Sequence, residues 1–278
     1  MMHFFENPSK VLYLVLCFSS ICSIITTLEW FALRDEFKSS GYYSWEILRF
    51  KVSKNKKLNK VLNVIFKYPN FLAIFLLQLI FSIAIFFLSD SRVILGISAL
   101  CVSICYFLIS YRRVDGFNGG DSMAKIVFLT SSICFLSNSP VVVELGLIFI
   151  SFQLILAYTT PGLLRIFDSN WTNGKKLMYV LRMETFSKKS VYEFFSKHPI
   201  LTKFTSISII IFEAFFVFSI FLPIKFLLAF LLIGSFFHLM NAMIMGLNTF
   251  VWSFVGSYPA IIWTSLLVRE IITGANIV

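Results

Sequence analysis

Long apolar runs alternate with short polar ones along this chain, and the rhythm repeats about eight times. Val11 to Trp30 comes first, with enough residues to cross a hydrocarbon layer roughly 30 Å thick as a helix. Its length, and the want of a small-residue cleavage site before Leu28-Glu29-Trp30, read as a retained span rather than a signal peptide. Phe71 to Ser89 and Val93 to Ser110 follow, joined only by the turn at Asp90, Ser91 and Arg92, which predicts a helical hairpin. Met123 to Leu136 is short for a span, and Asn138-Ser139-Pro140 separates it from Val141 to Tyr158. Phe204 to Leu222 and Ile224 to Ile244 are divided by Pro223, and Thr249 to Val268 carries Pro259 in its interior. The pattern predicts an all-α, polytopic helical membrane protein with about eight transmembrane helices and no large soluble domain. No internal repeat is visible.

The polar intervals are unequal. Residues 31–70 hold nine lysines and arginines, residues 111–125 three and residues 159–203 eight, leaving four elsewhere. Basic loops collect on the cytoplasmic side, so these three intervals are predicted cytoplasmic and, with eight spans, both termini fall outside. In the first, Ser44-Trp45-Glu46 opens what reads as a Ser-capped, aromatic-anchored interfacial helix. The cluster Lys54-Asn55-Lys56-Lys57-Leu58-Asn59-Lys60 reads as a solvated face beside anionic headgroups. In the second, Asn118-Gly119-Gly120 breaks regular structure and Asp121-Ser122 can cap the helix that follows. This divides the chain into residues 1–70, a transmembrane helix with a basic interfacial segment, and residues 71–278, a transmembrane bundle.

Composition agrees. Hydrophobic residues make up 58% of the 278 and charged residues only 14%, too few to coat a soluble protein. Membrane lipids are therefore the first expected partners. The net charge of +10 follows from the basic loops and does not call for nucleic acid as a partner. All five cysteines fall inside apolar runs and read as small packing residues. With three histidines in all, His3, His198 and His238, and no ligand cluster, a metal site is not expected. No P-loop, dinucleotide fingerprint or Ser-His-Asp order is present.

What remains is a handful of polar side chains inside apolar runs, where they are costly and therefore informative. His238 and Asn241 stand three apart on one helix and share a face. They form either a hydrogen-bonding pair facing a cavity or a polar clamp between helices. Glu213 lies alone among Phe and Ile, so it is protonated or paired, with Arg165, Lys225 and His238 as possible partners. Gln78 and Gln153 read as hydrogen-bonders between helices.

Three stretches then bear a resemblance. Phe237-His238-Leu239-Met240-Asn241, continuing through Gly246-Leu247-Asn248-Thr249-Phe250 to Tyr258-Pro259, resembles the His-Met-Asn helix of the vitamin K-dependent gamma-carboxylase family. It is at least as similar to the bacterial HTTM family, the horizontally transferred transmembrane domain proteins. Tyr158 to Tyr179, with Gly162, Arg165, Trp171 and Gly174, looks like that family's Gly–x–x–Lys…Trp–x–x–Gly…Tyr segment. Asn118-Gly119-Gly120-Asp121 resembles its Asn-Gly-Gly-Asp segment. The likeness covers residues 110–268.

The resemblance implies a site at His238, Asn241, Asp121 and Arg165, with Trp171 at the membrane boundary and a quinone-type ligand as the group such a core would take; Glu213 joins these candidates from its place in mid-span. It also departs from the carboxylases. The family's base is a lysine whose counterpart here is Arg165, which stays protonated at any ordinary pH. Asp121 stands where the carboxylases have a histidine. Carboxylation is thus not expected. The size resembles an HTTM subgroup needed to mature a secreted, sporulation-delaying peptide toxin, which implies an accessory role toward a small peptide or partner protein in a bacterial cytoplasmic membrane. A membrane-embedded enzyme acting on a quinone, lipid or peptide is the alternative. A transporter ranks last, because no paired broken helices are seen.

Overall fold

The computed structural model describes residues 2–52, 56–113, 119–183 and 187–274. Lys54 and Asn55 of the first basic cluster, and Asn118 of the Asn-Gly-Gly-Asp segment, lie outside the described residues. Within them every regular element is a helix. After a single turn at Met2–Phe5 come α1 (Pro8–Ala32), α2 (Trp45–Val52), α3 (Lys56–Phe66), α4 (Leu72–Phe87), α5 (Arg92–Arg113) and α6 (Gly119–Ser137). The chain continues with α7 (Pro140–Ile166), α8 (Lys175–Arg182), α9 (Lys189–Lys197), α10 (Pro199–Ala214), α11 (Ile224–Met245), α12 (Asn248–Phe254) and α13 (Tyr258–Thr273).

All eight predicted spans are helical. Among the described residues six stretches are long and apolar enough to cross a membrane: α1, α5, α7, Pro199–Phe221, α11 and Asn248–Thr273. They make the chain a polytopic integral membrane protein. α4 is equally apolar but has 16 residues, about 24 Å of helix.

The boundaries differ from the sequence reading at four prolines and glycines, each for a physical reason. α7 was expected to end at Tyr158; it runs on through Pro161 to Ile166. One missing amide hydrogen bond is tolerated where the rest of the backbone remains paired. α6 begins at Gly119, not after Ser122, so Asp121 sits within the first turn instead of capping from outside. A carboxylate there still meets the positive end of the helix dipole. α10 tightens into a 3₁₀ segment over Phe215–Phe221, and Leu222 is extended before Pro223, as a residue preceding proline prefers. The last span is interrupted by a 3₁₀ turn at Val255–Ser257, because Pro259 has no amide hydrogen to give Val255 and therefore opens α13.

The chain forms two compact units, Leu12–Gly146 and Met1–Val11 with Leu147–Val278. In the first unit, α4 and α5 pair as the expected hairpin, and α5 packs along α6. Small hydroxyls join α1 to α4: Gln78 Nε2 donates to Ser23 Oγ at 3.0 Å, and Ser82 Oγ reaches the same oxygen at 2.8 Å. Gln78 is thus the hydrogen-bonder that its place in an apolar run suggested, whereas Gln153 makes no hydrogen bond among the described residues. An aromatic cluster of Phe37, Trp45, Phe66, Phe71 and Phe75 fills the end of this unit where the basic segment returns. Ser44 is buried before α2 and its hydroxyl donates to the Glu46 carboxylate at 2.9 Å. A backbone amide first, and the Ser44 hydroxyl second, hold the Glu46 carboxyl below the ordinary range. The three basic residues of the second interval are helical: Arg112 and Arg113 close α5, and Lys125 lies on α6.

Candidate functional site

Within the second unit the aromatic lining decides the geometry. Tyr158 is buried on α7, with the ring of Phe216 stacked on it at 4.0 Å and those of Phe212 and Phe254 at its edges. His238, on α11, is only 2% exposed. Phe254 and Phe250 of α12 lie beside its ring, at centroid distances of 4.8 and 6.0 Å. Into this apolar box three polar atoms converge: His238 Nε2 is 2.5 Å from the Tyr158 hydroxyl, and that hydroxyl is 2.8 Å from the hydroxyl of Tyr258 on α13. Three helices far apart in sequence are joined by one chain of hydrogen bonds.

That chain has three protons for two hydrogen bonds, so one is left over. If Tyr258 donates to Tyr158 and Tyr158 to Nε2, the imidazole proton sits on Nδ1, which has no partner among the described residues. The opposite direction leaves the Tyr258 hydroxyl hydrogen and the Nδ1 lone pair both unused. The first direction wastes less, and it makes the imidazole an acceptor.

Gly234, one turn before His238, permits this approach. A Cβ there would stand 2.3 Å from the Tyr258 hydroxyl oxygen. A second hydroxyl pair, Ser151 with Thr264 at 2.8 Å, ties α7 to α13 again, and Arg269 donates to the Leu222 carbonyl at 2.7 Å.

Glu213 finds the first of its three possible partners. Arg165, in the last turn of α7, forms a salt bridge with it. The same guanidinium lies 4.6 Å from the ring of Trp171, a cation–π arrangement. Gly162 is the reason the two helices come this close: a Cβ at that position would meet the backbone nitrogen of Ala214 at 2.3 Å. Trp171 is fixed in turn, its carbonyl accepting from Ser206 Oγ at 2.6 Å. Just outside the spans Asp168 accepts from Lys176 Nζ at 2.5 Å and from the Asn170 amide at 2.9 Å. The ammonium first, and the amide second, hold its carboxyl below the ordinary range.

The five residues singled out from sequence therefore separate. Arg165 and Glu213 form one pair. His238 belongs to a different network, with Tyr158 and Tyr258. Asn241 is half-buried and makes no hydrogen bond among the described residues, so it does not share the histidine's contacts. Asp121 belongs to the first unit, buried in the first turn of α6 with Arg113 4.0 Å away. The residues that sequence reasoning missed are the tyrosines. Tyr158 was read as the end of a span and Tyr258 as part of a motif. Separations of 80 and 100 residues left no local signal for their meeting.

A quinone-type ring does not fit against His238. The imidazole is covered by Phe250 and Phe254, and its Nε2 is taken by Tyr158. Among the described residues no three His, Cys, Asp or Glu side chains are grouped to hold a metal ion. No protein-family model, curated protein or solved structure matches the chain.

Proposed function

We propose that this chain is an HTTM-like accessory membrane protein of a bacterial cytoplasmic membrane, serving the maturation or export of a small peptide or partner protein. The observation that carries this reading is the closure of His238. A catalytic base needs an exposed nitrogen beside a space for substrate. Here the nitrogen facing the polar network is bonded and the ring is walled by phenylalanines, which is how a clamp between helices is built. Arg165 adds support: the residue standing where the carboxylases carry their lysine base is a permanent cation engaged by Glu213.

The basic intervals face the cytoplasm in this reading. Arg112 Nε donates to the Phe66 carbonyl at 3.1 Å, tying the end of the first basic interval to the start of the second. That contact supports their sharing one membrane side.

Deletion of the gene tests the role. Loss of a mature secreted peptide from the medium, with its transcript unchanged, is the expected result; an unaltered secreted-peptide profile, read by mass spectrometry, sinks it. The clamp is tested separately with His238→Ala. Reduced abundance in the membrane is expected, and normal abundance with complete loss of the phenotype would return His238 to catalysis.

A further inference from the structure

Arg112 is the most exceptional buried charge in the first unit. It is wholly buried, and its guanidinium lies over the rings of Phe71 and Phe37 at 4.2 and 4.7 Å. Nε is satisfied by the Phe66 carbonyl, but among the described residues neither Nη1 nor Nη2 has a hydrogen-bond partner. Ring faces compensate part of the desolvation of a cation. Two forked donors left empty still call for an anion or a polar group.

Phe37 and Phe66, which Arg112 touches, are each followed in sequence by a lysine. Lys38 and Lys67 line a cleft of about 300 Å³ together with Ser39, Ser40, Glu46 and Tyr68. Lys38 pairs with Asp35 at 2.7 Å, largely exposed, and lies 5.8 Å from the Tyr68 ring, contacts that are readily exchanged. Among the described residues the Lys67 ammonium makes no hydrogen bond or ion pair, though it lies near enough to Glu46 for their charges to attract. Glu46, the single carboxylate in the lining, already accepts from Ser44.

We propose that this cleft binds the phosphate of an anionic lipid headgroup, through the ammonium groups of Lys38 and Lys67 and the hydroxyls of Ser39, Ser40 and Tyr68. Arg112, bonded to the Phe66 carbonyl and stacked on Phe37, the residues that precede the two lysines, adds a fixed positive charge that draws the anion in. Lipid is the favoured source because the surrounding helices are built to lie in the interface. On α3, Val61 and Val64 are exposed beside Lys57 and Lys60, while Leu62 and Phe66 point inward. An exposed face that mixes valines with lysines suits the boundary between acyl chains and headgroups.

The experiment uses the full chain purified in detergent, titrated separately with phosphatidylglycerol, phosphatidylcholine and inorganic phosphate, and read by native mass spectrometry and thermal unfolding. Phosphatidylglycerol is expected to bind and raise the unfolding temperature, and phosphatidylcholine to do neither. The double variant Lys38→Gln/Lys67→Gln, confined to exposed side chains, is expected to bind phosphatidylglycerol roughly thirty-fold more weakly, about five-fold per lysine. Arg112→Lys retains the charge but not the fork, and is expected to bind more strongly than Arg112→Gln. Stabilisation by inorganic phosphate that is lost in the double variant supports the phosphate site and reassigns its source to a free anion. Equal affinity of the wild type and the double variant for phosphatidylglycerol overturns the proposal. So does equal stabilisation by phosphatidylcholine.

Discussion

Arg112 and Arg165 each close the last turn of a long apolar helix and each lies against aromatic rings, but only Arg165 has a carboxylate bonded to it. In the second unit the cation, its carboxylate and the tryptophan beneath it form one closed set. In the first unit the cation has ring faces and one carbonyl, with two donors left over. The contrast separates two uses of a charge in an apolar helix. A completed pair holds helices together, whereas an incomplete one is positioned to attract something else. The remaining polar groups divide similarly: serines and a glutamine hook adjacent helices in the first unit, and a tyrosine–histidine chain joins distant ones in the second.

The sharpest way to break the contrast is to turn Arg165 into a second Arg112. Glu213→Ala leaves a half-buried guanidinium without its anion and is expected to destabilise by about 3 kcal/mol, the low end for breaking a buried pair, measured by denaturant unfolding in detergent. Replacing both partners, as Arg165→Met/Glu213→Leu, should recover most of that loss, since apolar side chains of similar volume substitute well for a buried pair. A double variant as unstable as the single one would show that the pair does more than fill its site. Next in size is Gly162→Ala. The new Cβ would press on the Ala214 backbone nitrogen, so α7 and α10 must part, at roughly 1–3 kcal/mol. Coupling between this change and Glu213→Ala in a double-mutant cycle should be strong, because both act on the same helix crossing.

Smaller effects test the hydrogen-bonded hooks. Tyr158→Phe removes the central hydroxyl of the three-residue chain and is expected to cost about 1–2 kcal/mol. It also strips His238 Nε2 of its partner, so tritium or deuterium exchange near α11 should accelerate. Ser23→Ala deletes two shorter-range hydrogen bonds for roughly 1 kcal/mol, at about 0.6 kcal/mol each. If Ser23→Ala proved the more damaging of the two, the view that the long-range network dominates the second unit would fail.

The helices were legible because a bilayer demands continuous apolar runs, and proline, glycine and charge mark their ends. Even so, the interior breaks were misplaced. Pro161 was harmless to α7, while Pro259 ended one helix and began another, a difference set by tertiary surroundings and invisible in the residue itself. For the site, the identity of Glu213's partner was among the three named from sequence. His238 and Asn241 stay three apart on α11 but do not share hydrogen-bond partners, because a shared helix face fixes direction, not contact. The tyrosines that do meet the histidine come from other helices, and nothing local to residues 158 or 258 encodes that convergence. The empty donors of Arg112 were equally hidden, since they depend on which rings close over the side chain.

The smallest expected effect lies at the membrane boundary, where the comparison between paired and unpaired charge can be made by pH alone. Asp168 is bonded to Lys176 and to the Asn170 amide, and its carboxyl is held below the usual carboxylate value. A depressed folded-state value means the contribution is fully present above the unfolded carboxylate value, about 3.9, and disappears as pH falls through the lower folded one. The Lys176–Asp168 contact should therefore persist unchanged from neutral pH down to about pH 4 and be lost only below it. Carboxyl ¹³C shifts of the labelled protein in detergent would follow this directly. Asp168→Asn should abolish the acid-side transition while leaving α7 intact, because the substitution keeps the oxygen that accepts from the Asn170 amide and removes only the charge facing Lys176. A transition that survived in Asp168→Asn would have to arise from another carboxylate.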